Sequence, residues 1–360
     1  MGRIPTGCVT AGVAAALVAL ALSGCSVLGL PDPGGTTRTT ATPIPTPAAF
    51  ALDCTAVVAS GDLASLLGPD AAVVRDTAGA NASITASNAA VGALALRAVG
   101  GDGCRWAHGK EELTVQVLPH AAQAWARLAA AHPDTATPGA DYAGGVSLGG
   151  DCSLTPAVQC RTNVLVGDAW LAVGLAAGAV PGLTEAGFHD AVQRMLPLVA
   201  AAVASAPPAA TGGVVDCSAQ ELLAQVRTTF DRPAATPVDA DEAFRLRDAV
   251  FQVGGAAMCA FRPDDGTAAA YLGSLSVLPA APGVYDAYRA AVLAEDATAH
   301  SETITVNGED HPVLVWSGAV DDRSFAAVDA VVDGRWIEFR SSDTDWSRSL
   351  ALVQWAAAHP

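Results

Sequence analysis

One lysine, Lys110, serves a chain of 360 residues. Lysine and arginine together number 19 against 36 aspartates and glutamates, and no run of basic residues occurs. Nucleic-acid binding needs a basic face that displaces counterions from phosphates, so that class is set aside. The apolar run near the N-terminus, from Ala11 to Leu22, is too short to span roughly 30 Å of hydrocarbon as a helix. The heavy use of alanine, with arginine almost replacing lysine, reports genome base composition rather than chemistry.

Catalytic signatures are equally scarce. No nucleophile elbow (a Gly-x-Ser-x-Gly turn between strand and helix), Walker loop, His-Glu-x-x-His or Ser-x-x-Lys is read in the chain. The seven histidines are scattered, mostly beside turns or on polar helix positions, and His189-Asp190 reads as a solvated surface pair. The acidic stretch VDADEAFRLRD, residues 238–248, lacks the glycine and terminal glutamate of a calcium loop. It reads as a helix start, with Asp239, Asp241 and Glu242 favourable near the positive end of the helix dipole. No cofactor and no metal ligand set are expected.

What is present begins with a targeting segment. Arg3 precedes the apolar run, which ends in Leu22-Ser23-Gly24-Cys25. An apolar core of this length behind a basic residue fits a secretory signal over residues 1–24. The four residues resemble the lipobox of bacterial lipoproteins. That resemblance implies cleavage before Cys25, a thioether lipid on Cys25 and an acylated new N-terminus. More than one acyl chain makes attachment stable without a spanning helix. The remainder of residues 25–50 is rich in Pro, Gly and Thr without apolar periodicity, and reads as an extended tether. The expected location is the extracytoplasmic face of the cell membrane.

Export makes disulfides the default state of cysteine. With Cys8 in the signal and Cys25 lipidated, six remain: Cys54, Cys104, Cys152, Cys160, Cys217 and Cys259. Six cysteines allow fifteen pairings. An internal repeat narrows them.

DCTAVVASGDLASLL from Asp53 is echoed by DCSAQELLAQV from Asp216, and VGGDGCRW by VGGAAMCAF. LTVQVLP matches LGSLSVLP, each followed by an alanine-rich segment carrying Trp125 or Tyr285. LVGDAWLAV matches VVDGRWIEF, and the landmarks keep their order at offsets of 155 to 166 residues. This is a tandem duplication: residues 51–204, a linker at 205–213, and residues 214–360. Each copy should solve the same problem in the same way, so Cys54 pairs with Cys104 and Cys217 with Cys259. Cys152 and Cys160, absent from the second copy, close a local loop. Their spacing is not that of a Cys-x-x-Cys redox centre, and a structural role is expected. The aromatic two residues after each second cysteine, Trp106 or Phe261, shares its strand face and covers the sulfurs.

Local patterns give each copy an expected order α-β-β-α-β-β-α. Asp53 and Asp216 are read as helix N-caps, with Ser218 and Glu221 forming a capping box. Leu113, Val115 and Val117 alternate as a half-buried strand does. Asn307-Gly308 between apolar runs signals a hairpin. Apolar residues at helical spacing from Phe188 and from Trp346 close the two copies, with Pro197 expected to kink the former. The fold class is α+β: two tandem similar domains, each an antiparallel sheet with helices packed on it, stapled by disulfides.

An early cysteine before a Leu-rich helix, then Cys-x-Trp and an alternating strand behind a lipobox, is similar to certain secreted actinobacterial lipoproteins. These carry domains described only as of unknown function. The resemblance covers Cys54 to about Pro119 closely and the second copy more loosely, because Phe261 replaces the tryptophan. It implies no catalytic residues.

Function is therefore read from the anchor, the tether and the duplicated scaffold. The leading expectation is a non-enzymatic module that binds an envelope protein or a small ligand. The alternatives are an envelope enzyme whose site no motif reveals, and a structural spacer. Trp170 and Trp336 are candidates for lining a groove, core burial being the commoner use of such residues. His, Asp and Ser converging in one concave pocket would favour the enzyme; dispersed polar groups around an apolar groove would favour binding.

Overall fold

The computed structural model describes residues 50–73, 89–178, 180–208, 215–231, 235–238, 244–263, 271–280, 283–320, 323–342 and 344–359. The signal, Cys25, nearly all of the tether, most of the linker and the acidic side chains Asp239, Asp241 and Glu242 lie outside those residues. Residues 47–360 form one compact unit.

Each copy opens on a turn built around its first cysteine. The Asp53 carboxylate accepts from the Thr55 amide at 2.9 Å and its hydroxyl at 2.7 Å. Asp216 accepts from Ser218 in the same way, at 2.9 and 2.6 Å. The expected N-caps and capping box are thereby corrected. The aspartates close turns over the cysteines because the next acceptor-seeking groups are two residues away, and the Ser218 hydroxyl is engaged there. The helices start later, behind Ala59 and Ala219, without side-chain caps.

The first copy runs α1 (Ser60–Leu67), β1 (Ala72–Val73), α2 (Ala89–Ala98), β2 (Asp102–His108), β3 (Glu111–Leu118) and α3 (Ala122–Ala131). It continues with β4 (Val146–Ser153), β5 (Val158–Val166), β6 (Ala169–Ala177) and α4 (Glu185–Val203), a helix uninterrupted by Pro197. The second copy runs α5 (Gln220–Phe230), β7 (Ala235–Val238), α6 (Leu246–Val250), β8 (Ala257–Pro263), β9 (Gly273–Pro279) and α7 (Val284–Glu295). Then come β10 (His300–Val306), β11 (Glu309–Val320), β12 (Arg323–Val332), β13 (Arg335–Ser341) and α8 (Trp346–Ala358).

The sheets carry the duplication in their topology. The first orders its six strands β1-β2-β3-β6-β5-β4; the second, read from β7, orders its seven β7-β8-β9-β13-β12-β11-β10. Among the described residues all pairings are antiparallel, and β10 is an edge strand without counterpart in the first copy. The fold is thus α+β, with more elements than local patterns suggest. The additions are α2 and α6, the short strands β1 and β7, a third strand in the carboxy-terminal half of the first copy, and a third and a fourth in that of the second. The Asn307-Gly308 hairpin joins β10 to β11, with φ of 52° and 85°. Asp333-Gly334 does the same between β12 and β13 at 50° and 73°, the left-handed pair that a tight twisted hairpin requires.

Three cores result. α1 and α4 cover one face of the first sheet; α5 and α8 cover the corresponding face of the second. Trp106 and Phe261 are fully buried beside their cysteines in these two cores, as the period of two demands. The third core belongs to both copies. It joins the opposite faces of the two sheets through α2, α3, α6 and α7, with Leu118, Trp125 and Trp170 from one copy and Phe244, Trp316 and Trp336 from the other.

The three disulfides are those the repeat dictates. Cys54–Cys104 and Cys217–Cys259 bring their α-carbons to 5.4 and 5.3 Å. Cys152 and Cys160 face each other across β4 and β5 and are bonded, with α-carbons 4.0 Å apart.

Candidate functional site

The face of the second sheet that looks into the shared core carries charge. Along β12 the inward residues include Phe325, Ala327 and Asp329; along β13 they are Trp336, Glu338 and Arg340. The register sets Asp329 directly opposite Glu338 and Trp336 one step along, opposite Val331. Paired residues on one face of an antiparallel ladder have β-carbons about 5 Å apart. Asp329 is 0% exposed, Glu338 5% and Arg340 9%.

Asp329 is held from every side. Its Oδ1 accepts from the Trp336 indole at 2.8 Å, and Oδ2 accepts from the Trp316 indole at 2.9 Å and the Tyr288 hydroxyl at 3.2 Å. The Tyr285 hydroxyl donates to its carbonyl at 3.2 Å. Arg340 approaches Glu338 at 3.5 Å and lies over the rings of Phe325 and Trp316, at 4.7 and 5.4 Å. Burial above all, then the charge of Glu338, pushes the Asp329 carboxyl well above the usual carboxylate range, against the pull of the two indoles. Burial likewise drives the Tyr285 and Tyr288 phenols upward, and Asp329 adds to it.

A pocket of about 310 Å³ opens behind this cluster, lined by Ala280, Gly283, Tyr285, Asp286, Arg289, Pro312 and Val331. Arg289 donates from Nη2 to the Ser301 hydroxyl at 2.7 Å, while its buried Nε makes no hydrogen bond. Tyr285 is the shared wall: its ring lies 5.5 Å from Trp336, and its hydroxyl reaches Asp329. The lining is mostly apolar, with Asp286 as its acidic residue and Arg289 as its basic one.

The first copy keeps the Trp device and drops the charge. The Trp170 indole donates to Asn163 Oδ1 at 3.0 Å, and Asn163 Nδ2 donates to the Gly149 carbonyl at 2.7 Å. Trp170 is 0% exposed and Trp336 2%. Neither lines an open groove, which corrects that expectation: each indole is sealed in the shared core because a buried acceptor meets its N–H. Trp170 packs against Trp125 and Phe244, both with ring centroids at 4.7 Å.

The spacing Gly145-Val146-Ser147-Leu148-Gly149 does match Gly-x-Ser-x-Gly. Its Ser147 lies within β4, where it contacts the Thr162 hydroxyl at 3.4 Å, so no strand-to-helix elbow is formed. His189 bonds the Tyr142 hydroxyl at 2.6 Å and approaches Glu185 at 3.5 Å, instead of pairing with Asp190. His120 bridges the Asp168 carboxylate at 2.8 Å and the Pro207 carbonyl at 2.9 Å. The Pro207 carbonyl first, then the bond and charge of Asp168, raise its pKa against the effect of burial. Among the described residues no group of three His, Cys, Asp or Glu side chains is placed to hold a metal, and no helix is long and apolar enough to cross a membrane.

Asp329, Glu338 and Arg340 were not legible as a site. The available signal was a lone Asp in FAAVDAVV and a lone Glu in WIEF, each interrupting an apolar strand. No protein-family model matches the chain, and neither does any curated protein or solved structure.

Proposed function

We propose that this chain is a membrane-anchored cell-envelope lipoprotein whose folded part is a non-enzymatic binding module for a small ligand. The observation that carries the reading is the pocket of about 310 Å³ on α7, where Tyr285, Pro312 and Val331 stand beside Asp286 and Arg289. A preformed concavity with an apolar floor and few polar groups is the common form of a ligand site. Cys25 directly behind the apolar run supports the anchor, and the three disulfides fit an oxidising compartment outside the cytoplasm. The Pro/Thr/Gly tether keeps the module clear of the bilayer. The likeness to secreted actinobacterial lipoproteins supports the same reading.

Two measurements test it. Cys25→Ala should move the protein from the membrane fraction to the soluble one; unchanged membrane retention counts against the anchor. Native mass spectrometry of the intact protein from its own envelope should show a small bound molecule that Arg289→Ala loses. A mass equal to the bare lipidated chain in both forms counts against the ligand.

A further inference from the structure

Three ionisable groups crowd one buried patch: two carboxyls, Asp329 and Glu338, and one guanidinium, Arg340. With both carboxyls ionised, the patch carries one uncompensated negative charge away from water. Burying an unpaired charge is so costly that the group normally neutralises instead. The register leaves the two carboxyls facing one another, and like charges so placed cannot both ionise cheaply.

We propose that Asp329 and Glu338 form a proton-binding site, the pair retaining one proton in the folded protein at neutral pH and releasing it on unfolding. The proton belongs to the pair, which titrates as a unit. Asp329 and Glu338 are the acids; the proton lost on unfolding goes to water or buffer.

The groups facing the pair favour this assignment. From β13 comes Arg340, a single cation for two acids. From α7 come Tyr288 and Tyr285, both neutral phenols, with Asp286 and Arg289 beyond Tyr285. β11 contributes Trp316 and β9 contributes Ser276 opposite Glu338, neither of which titrates near neutrality, and Tyr271, just before β9, adds a phenol within electrostatic reach of Glu338 and Arg340 whose pKa burial raises. α2, packed on α7 and β9, offers Arg97 alone among charged residues, and Arg97 is bound to Asp102 at 3.1 Å. The first copy is the internal comparison. Asn163 occupies the place of Asp329, and Ala172 and Gly174 the places of Glu338 and Arg340, so the Trp device needs no acid to form.

The proton also bears on α7. Tyr288 donates to the Asp329 side chain and Tyr285 to its carbonyl, so this helix is seated on the residue whose charge the proton controls. A second negative charge in the patch would work against the burial that α7 and the sheet provide. The inference stands whether or not the pocket takes a ligand.

The experiment compares wild type with Glu338→Gln, a neutral copy of the protonated acid, in the disulfide-intact mature protein. Calorimetric unfolding at neutral pH in buffers of different ionisation enthalpy counts protons released. Wild type should release about one more than Glu338→Gln, and its folding constant should fall up to about tenfold per pH unit on raising pH, where the variant is flatter. Equal proton release and parallel pH profiles overturn the proposal. If Glu338→Gln does not fold, infrared spectroscopy of wild type at neutral pH decides. A protonated-carboxyl stretch that disappears on unfolding upholds the site, and its absence from the folded protein overturns it.

Discussion

Trp336 donates its indole N–H to Asp329 at 2.8 Å across the β12–β13 hairpin. At the equivalent hairpin of the first copy, Trp170 donates to Asn163 at 3.0 Å. One acceptor satisfies an indole N–H, and amide and carboxylate oxygens both serve. The two copies share this bond and differ in the acceptor, an amide in one and a carboxyl in the other, and the carboxyl version lies against the pocket.

That divergence is asymmetric in energy. Asn163 also donates to the Gly149 carbonyl at 2.7 Å, which a carboxylate cannot do. Asn163→Asp should therefore destabilise by about 3 kcal/mol, by facing a carboxylate with an unsatisfied carbonyl. Urea titration at neutral pH measures it, and the loss should shrink in acid as the new carboxyl protonates. A neutral effect would mean that water reaches this site.

The shared core couples the copies. Phe244, from the second copy, stacks on Trp170 and meets Trp125 edge-on in the first, each at 4.7 Å. Phe244→Ala should cost roughly 3–5 kcal/mol. Hydrogen exchange should then show amides of β6 and β12 losing protection together. Loss confined to one sheet would show that the copies open separately.

The long disulfides should be equivalent and the short one weaker. Cys54–Cys104 and Cys217–Cys259 span 50 and 42 residues against 8 for Cys152–Cys160. Chain entropy assigns about 4 kcal/mol to each of the first two and about 2.5 to the third. Replacing each pair by alanine and measuring denaturant midpoints tests the ranking. A larger loss at Cys152–Cys160 would refute it.

His120 gives a pH dependence of its own. Its raised pKa means that the folded protein binds the proton more tightly than the unfolded chain does. The contribution is complete below the unfolded value near 6.5 and is lost as pH rises through the folded value. NMR titration of the His120 ring should give a midpoint above that of a free histidine, and Asp168→Asn should lower it. An unchanged midpoint in Asp168→Asn would remove Asp168 from the cause.

The sequence by itself determined the bridges and the outer cores. Alternation along LTVQVL, the cysteine-to-aromatic step of two residues and the Asn307-Gly308 turn are local facts, fixed by backbone geometry over a few residues. Repetition then carried each local fact to its counterpart, which made the three pairings legible. The short elements were not legible: β1 has two residues and α6 five, too few for periodicity to register. Only the tertiary structure decided what Trp170, Trp336 and Asp329 do. Tyr288 reaches Asp329 from 41 residues away and Phe244 reaches Trp170 across the two copies. Whether an Asp in an apolar strand meets water or two indoles depends on which faces the sheets turn toward each other. That choice is made by burying both faces at once, a long-range gain that no window of sequence contains.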